Sequence, residues 1–371
     1  MPAAAPVVQS WNEWDPLEEV IVGSALGAMY PECGPILAAG GEPEWLWHYQ
    51  GAFVEDDAVQ AAVAQLDELV RVLRQAGVKV RRPEPMPHNV ACETPFWRCR
   101  GGWNTANPRD LVLVVGDELI ECASPVRHRH FESLAYHRLF TEYFQAGARW
   151  SSAPRPALRD ALYDQTAAAR IVERTDPARP KTLARGAEHA YPITDLEPVF
   201  EAADFMRCGR DLFVTRSVVT NAPGIEWVRR HLGAGFRVHE IATRCAAPWH
   251  IDTTFVPLAP GKALVNPDWV EELPACLASW KILPAPRPTY GATSPMAQPQ
   301  LTSQWLSMNV LSLDEKRVLV DAQQAELIRA LRGFGFEPVP IPFDAVGVFG
   351  GSFHCATLDV RRRGALESYC G

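Results

Sequence analysis

The 371-residue chain contains no unbroken apolar run approaching the roughly 18 residues of a membrane helix. Its first ten residues are rich in Ala and Pro, with neither a basic stretch nor an apolar core. They read as a loose terminus, 1–10, without a secretory signal. No Lys/Arg run forms a patch, and the formal net charge of −8 argues against nucleic acid or an anionic membrane as main partner. A field of that sign favours small cationic substrates. No C-x-x-C occurs among the nine cysteines, an odd number, which points to reduced cytoplasmic thiols and away from a disulfide framework or a zinc site. No G-x-G-x-x-G opens a helix and no Walker loop is present, so nucleotide binding has no support.

The composition is that of a globular protein, 47% hydrophobic and 22% charged. The 32 prolines and 12 tryptophans imply structured loops and aromatic walls. Strand pairs alternate with single helices along the chain. A strand at 17–22 is followed by an irregular stretch, 24–55. Asp56 and Asp57 then open an amphipathic helix with Val59, Val63, Leu66, Leu69, Val70 and Leu73 on one face and Gly77 as its stop. A strand pair at 111–116 and 118–120 precedes a helix over 130–146. Proline-rich 153–156 and 177–180 bracket an excursion. Further strands are expected at 198–200, 212–215, 237–241, 250–256, 263–265, 306–313, 318–320, 337–339 and 353–360. Helices are expected at 225–232 and 322–333. The pattern is α/β, built from strand–strand–helix–strand units in one domain, 11–371, and without an exact sequence repeat.

Chemistry-bearing residues stand at strand ends in different units. Gly350-Gly351 permits a tight turn that displays Cys355, a candidate nucleophile; the same residue also fits a small buried core thiol. On a strand, His250 and Asp252 share a face, which makes a usable acid–base pair or a merely satisfied one. Glu201 and Asp204, walled by alanines, leave room for a planar cation, or form an acidic pair favoured at a helix N-terminus. Asp110 at the entrance of an apolar strand is a rim residue or a strand cap. One Cys, one His and several carboxylates fit chemistry on a guanidinium. Carboxylates grip its N–H forks, a thiolate attacks the central carbon and His moves the proton.

Segments in order along nearly the whole chain resemble the amidinotransferase family, that is, the L-arginine:glycine and arginine:inosamine-phosphate enzymes. They include Trp11-Asn12-Glu13-Trp14-Asp15-Pro16, Pro108-Arg109-Asp110, Ala202-Ala203-Asp204-Phe205, His250-Ile251-Asp252, Trp305-Leu306-Ser307-Met308-Asn309-Val310 and Phe353-His354-Cys355. The resemblance implies a five-bladed α/β propeller of the guanidino-group-modifying pentein kind, and a homo-oligomer, a dimer. It implies Cys355 as nucleophile, His250 as general acid then base, and Asp110 and Asp252 as guanidinium ligands. Glu201 stands where the family has an aspartate and is expected to work with His250. Asp204 is grouped with the substrate-binding residues, one layer behind. Thr302 and Ser303 match a substrate-contacting Ser pair.

The glycine enzyme carries an arginine after Asn-Pro-Asp to grip the donor's α-carboxylate; here Asn266-Pro267-Asp268 is followed by Trp269. Either Arg210 or one of Arg361, Arg362 and Arg363 replaces it, or a substrate lacks that carboxylate. The implied reaction is ping-pong transfer from L-arginine to a small amine acceptor, with no metal and no organic cofactor. The rivals are arginine deiminase-type hydrolysis to citrulline and a non-catalytic guanidine-binding propeller. Trp269 favours a specialised biosynthetic acceptor over glycine.

Overall fold

The computed structural model describes residues 6–40, 46–297 and 303–370. Its framework is mixed α/β: five separate three-stranded sheets and one two-stranded ribbon, Cys92–Glu93 with Arg98–Cys99. Four sheets are consecutive in the chain and repeat one pattern, an antiparallel hairpin followed by a third strand that returns parallel to the hairpin's second. They are Val112–Val115, Glu118–Glu121 and Arg149–Ser152; Phe205–Cys208, Asp211–Val214 and Arg237–Glu240; Phe255–Ala259, Lys262–Val265 and Lys281–Pro284; and Leu311–Ser312, Arg317–Asp321 and Glu337–Ile341. The remaining sheet has the same pattern but is assembled from both ends of the chain. Thr357–Arg362 pairs antiparallel with Leu17–Val22, which pairs parallel with Lys79–Arg81.

A parallel return needs a crossover, and helices supply it. Asp56–Gln75, His137–Gln145, Ala222–Leu232 and Ala325–Gly333 fill that place in four units. The exception is the Phe255–Ala259 unit, where a single 3-10 turn, Ala275–Leu277, stands instead. Asp56–Gln75 buries Val59, Ala62, Leu66, Leu69, Val70 and Leu73, with Val63 half-buried, and the chain leaves it through Gly77 at φ +87°.

Charge ties the units together at their centre. The buried Arg207 guanidinium donates to Glu13, to Asp359, to Ser10 Oγ (2.7 Å) and to the carbonyl of Val114 (3.0 Å). Arg109 and Arg362 also pair with Asp359. Three arginines outweigh the burial penalty and hold the Asp359 carboxyl well below the ordinary range.

Several expected elements differ. The terminus is not loose over all of 1–10: Val8 and Ser10 are buried, and Gln9 and Ser10 bridge to Arg361 and Gly116. The irregular 24–55 contains helices Pro35–Gly40 and Leu46–Tyr49, and the excursion contains helix Ala167–Arg174. The helix expected at 130–146 is split into a 3-10 segment, Glu132–Tyr136, and an α-helix, His137–Gln145. Residues 198–200 are not a strand. Elsewhere the strands begin later than expected, at Phe255 and not 250, at Leu311 and not 306, and at Thr357 and not 353. In each case the skipped residues form a turn or 3-10 segment. Among the described residues no helix is long and apolar enough to cross a membrane.

Candidate active site

Those turns build the site. Asp110 ends two residues before strand Val112–Val115, Asn309 two before Leu311–Ser312, and Cys355 two before Thr357–Arg362. Glu201 precedes Phe205–Cys208 through the 3-10 turn Ala202–Asp204, and His250 and Asp252 precede Phe255–Ala259 through Ile251–Thr253. All five units thus present residues from equivalent entrances: Asp110, His250, Asp252 and Cys355 line a cavity of about 710 Å³, and Glu201 and Asn309 bond to His250 and Cys355.

Cys355 is set by its glycines. Gly350 has φ +102°, and a Cβ there would lie 2.5 Å from Trp103; one on Gly351 would lie 2.3 Å from Asn107 Oδ1 and 2.4 Å from Cys355 Cβ. The thiol donates to Asp252 Oδ2 at 3.2 Å and accepts from Asn309 Nδ2 at 3.0 Å. Burial first, then the Asp252 and Asp110 carboxylates, push the thiol far up, so it carries its proton in the free protein.

His250 adopts φ +69° with ψ 145°, a sparsely populated conformation that costs a β-carbon-bearing residue on the order of 1–3 kcal/mol. The turn is therefore not the strand that would have put His250 and Asp252 on one face. Instead His250 Nε2 meets Glu201 Oε2 at 2.8 Å and Nδ1 lies 3.7 Å from Asp110 Oδ1. Burial opposes its charge, but Asp110 and Glu201 prevail and raise the imidazole to about 10. Glu201 is pushed up by burial yet held low by Arg129 and His250; Ser124 Oγ also donates to it at 2.6 Å. Burial keeps Asp110 above the ordinary range despite His250 and Arg129.

Arg129 binds this cluster from behind. Its guanidinium donates to Asp110 Oδ2 (2.9 Å), Glu201 Oε2 (3.2 Å) and both oxygens of Glu132 (2.9 and 3.0 Å), over the face of Trp103. Sequence reasoning missed Arg129 and Asn309. Nothing in His128-Arg129-His130 marks a site, and Asn309 lay inside a segment read as strand.

Of the expected residues, Cys355, His250, Asp110, Asp252, Ser303 and Trp269 line the cavity. Glu201 is fully buried behind His250. Asp204, expected among the substrate-binding residues, does not reach the cavity: burial raises it to about 7, and its Oδ2 accepts from Ser217 (2.6 Å) and Thr220 (2.5 Å). Thr302 lies outside the described residues. Neither Arg210 nor Arg361, Arg362 and Arg363 lines the cavity. Arg210 bonds the carbonyl of Gly235, Arg361 pairs with Glu18, Arg362 with Asp359, and Arg363 lies 4.0 Å from Glu18. Asp110, His250 and Cys355 each offer a ligand atom within 4.8 Å of the others and could hold a metal ion. A metal there would have to displace the protons that His250 and Cys355 both retain.

No family model matches the chain. It is 43% identical over 370 residues to the L-arginine:L-lysine amidinotransferase of Pseudomonas savastanoi pv. phaseolicola, covering 98% of this chain and 96% of that protein. The chain belongs to the amidinotransferase family. Within that family it is also 42% identical over 375 residues to the mitochondrial glycine amidinotransferase of Gallus gallus, covering 99% of this chain and 86% of the other. Among solved amidinotransferases, SxtG of the saxitoxin biosynthetic pathway of Microseira wollei superposes with a TM-score of 0.86 at 46% identity, covering 98% of this chain and 99% of that one. A dimethylarginine dimethylaminohydrolase structure, 13% identical with a TM-score of 0.55 over 92% of this chain and 99% of that one, shares the pentein fold alone. The protein is therefore an amidinotransferase-family enzyme of mixed α/β pentein architecture.

Proposed function

We propose that the protein moves the amidino group of L-arginine to an amine through an amidino-Cys355 intermediate, releasing ornithine. One observation carries the reading. Cys355 Sγ, a His250 ring nitrogen and an Asp110 oxygen lie within 4.8 Å of one another at the cavity, and Asp252 bonds the sulfur. The five sheets are read as the blades of one propeller, with 11–371 as a single domain. Nine cysteines with no C-x-x-C among them suit a reducing cytoplasm.

The guanidinium of L-arginine sits between Asp252 and Asp110, whose Oδ1 accepts no hydrogen bond within the protein. Its charge offsets the carboxylates that hold the thiol up, so the proton of Cys355 passes to Asp252 as the substrate docks. Sulfur attacks the guanidino carbon, and the bond from that carbon to the ornithine nitrogen breaks as His250 protonates the nitrogen. Neutral His250 then removes a proton from the acceptor amine as it attacks. The carbon–sulfur bond breaks, and the thiolate recovers its proton from Asp252. Arg129 commits four of its five N–H donors to Asp110, Glu201 and Glu132, and so fixes Asp110 and Glu201.

The donor's α-carboxylate is assigned to Lys181. The indole of Trp269 donates to Thr182 Oγ1 at 3.2 Å, and the adjacent Lys181, held at φ +63°, lines the same cavity. Arg129 and the His250 imidazolium are both paired with carboxylates, which leaves Lys181 as the further cation among the described lining residues.

Intact-protein mass spectrometry after mixing with L-arginine and no acceptor tests the reading. An amidino adduct on Cys355 with stoichiometric ornithine is expected. Catalytic citrulline, or no adduct, overturns it.

A further inference from the structure

The cavity is larger than the chemistry requires. About 710 Å³ lies within the range of about 300–1,000 Å³ that holds drug-sized ligands, whereas an amino acid is much smaller. Its outer part is also of a different character from the polar floor. Helix Ala167–Arg174 turns Ala168, Ala169, Ile171 and Val172 towards the cavity, a spacing that forms one continuous helical face. Leu37 and Ala39 of helix Pro35–Gly40 line the same space. Val172 is 74% exposed, more than any other large apolar side chain recorded as exposed, and it stands on this wall.

Both helices belong to the excursions outside the five repeated units; Ala39 and Ile171 are partly spent in a core cluster, whereas Val172 and Ala169 remain exposed on the wall. Lys181 can meet the carboxylate of an α-amino acid acceptor, but the α-ammonium of a diamino acid such as lysine finds no partner on this wall, where charge goes unmatched at a cost. The carboxylates lining the cavity, Asp110 and Asp252, lie at the sulfur end, and none lines the outer part.

We propose that the acceptor is a primary amine on an extended, uncharged hydrocarbon body. The amine reaches amidino-Cys355, and the chain lies along the wall formed by Leu37, Ala39, Ala168, Ala169, Ile171 and Val172. This deepens the transfer reading above and rests on it. The nitrogen of the amine bonds to the amidino carbon, the carbon–sulfur bond breaks, the amine proton goes to His250, and an alkylguanidinium leaves.

The test uses the full-length protein, saturating L-arginine and a series of n-propylamine, n-hexylamine and n-octylamine beside glycine and L-lysine, with ornithine and the new guanidine measured. The alkylamines share one basicity, so the series reads chain length alone. The kcat/KM is expected to rise about threefold per methylene, with n-octylamine at least tenfold above glycine and lysine. Ala169→Glu is expected to reduce the octylamine-to-propylamine ratio at least fivefold, a ratio that cancels any general loss of activity. A flat series, or glycine or lysine as the better acceptor, overturns the proposal while a demonstrated amidino-Cys355 leaves the transfer reading standing. Failure to form that intermediate from L-arginine removes both.

Discussion

Asn309 clamps Cys355 at two points: its Nδ2 lies 3.0 Å from Sγ, and its Oδ1 accepts the backbone N–H groups of His354 (2.8 Å) and Cys355 (3.1 Å). The donated bond favours the thiolate against burial and two carboxylates. Asn309→Ala therefore leaves the sulfur less acidic and the turn less fixed. A lost donor at a buried charge costs about 1–3 kcal/mol, so first-turnover ornithine release should fall roughly 10- to 100-fold. The pH needed for alkylation of Cys355 by iodoacetamide should rise. An unchanged alkylation profile would show that Asn309 shapes the loop without acting on the sulfur.

The His250–Glu201 pair predicts a pH dependence of turnover. The proposed transfer needs a protonated His250 when ornithine leaves, and its value of about 10 keeps it so at neutral pH. Single-turnover ornithine release should thus lose its imidazolium only as pH rises through about 10. Glu201→Gln removes a carboxylate that favours the charged ring, so this fall should move down by roughly 1–3 pH units. Rapid-quench measurement across pH 6 to 11 checks it.

The same pair predicts a stability difference. The folded value of His250, about 10, exceeds its ordinary 6.5. Its protonation therefore stabilises the fold fully below about 6.5, and the contribution is lost as pH rises through about 10. The Tm gap between the wild type and His250→Gln should be widest near pH 6 and narrow towards pH 10.

Lys181→Met tests the donor carboxylate. KM for L-arginine should rise roughly tenfold or more, the scale of a charge-assisted hydrogen bond of about 1.5–3 kcal/mol. KM for agmatine, which has no carboxylate, should stay within about twofold. Equal effects on both donors would place the grip elsewhere.

The central arginine predicts a structural loss. Arg207→Met leaves Glu13 and Asp359 short of a buried partner, and breaking such a pair typically costs about 3–5 kcal/mol. Urea unfolding should show a lower midpoint with an unchanged slope.

The sequence displayed the repeating α/β units because hairpins and amphipathic helices are periodic over short windows. It also displayed Cys355, His250, Asp110 and Glu201, through their residue types and the family likeness. It hid the turns before the strands. His250, Leu306 and Phe353 sit in apolar or alternating stretches that satisfy a strand pattern, yet the backbone there bends to aim side chains inward. A histidine at positive φ has no local signature, because the surrounding units impose its conformation. Arg129 was hidden for a related reason: its value comes from four carboxylate oxygens brought together by residues 110, 132 and 201.

The sheet that joins both ends of the chain has a consequence for biosynthesis. Leu17–Val22 emerges from the ribosome early, but its antiparallel partner, Thr357–Arg362, follows more than three hundred residues later, with Cys355 just ahead of it. Until then the early strand waits with one edge unpaired, which is a template for wrong pairing. A nascent chain that stalls before that point carries His250, Asp110, Glu201 and Asp252 but not Cys355. Completion of that sheet and the appearance of Cys355 therefore belong to one late stretch of synthesis.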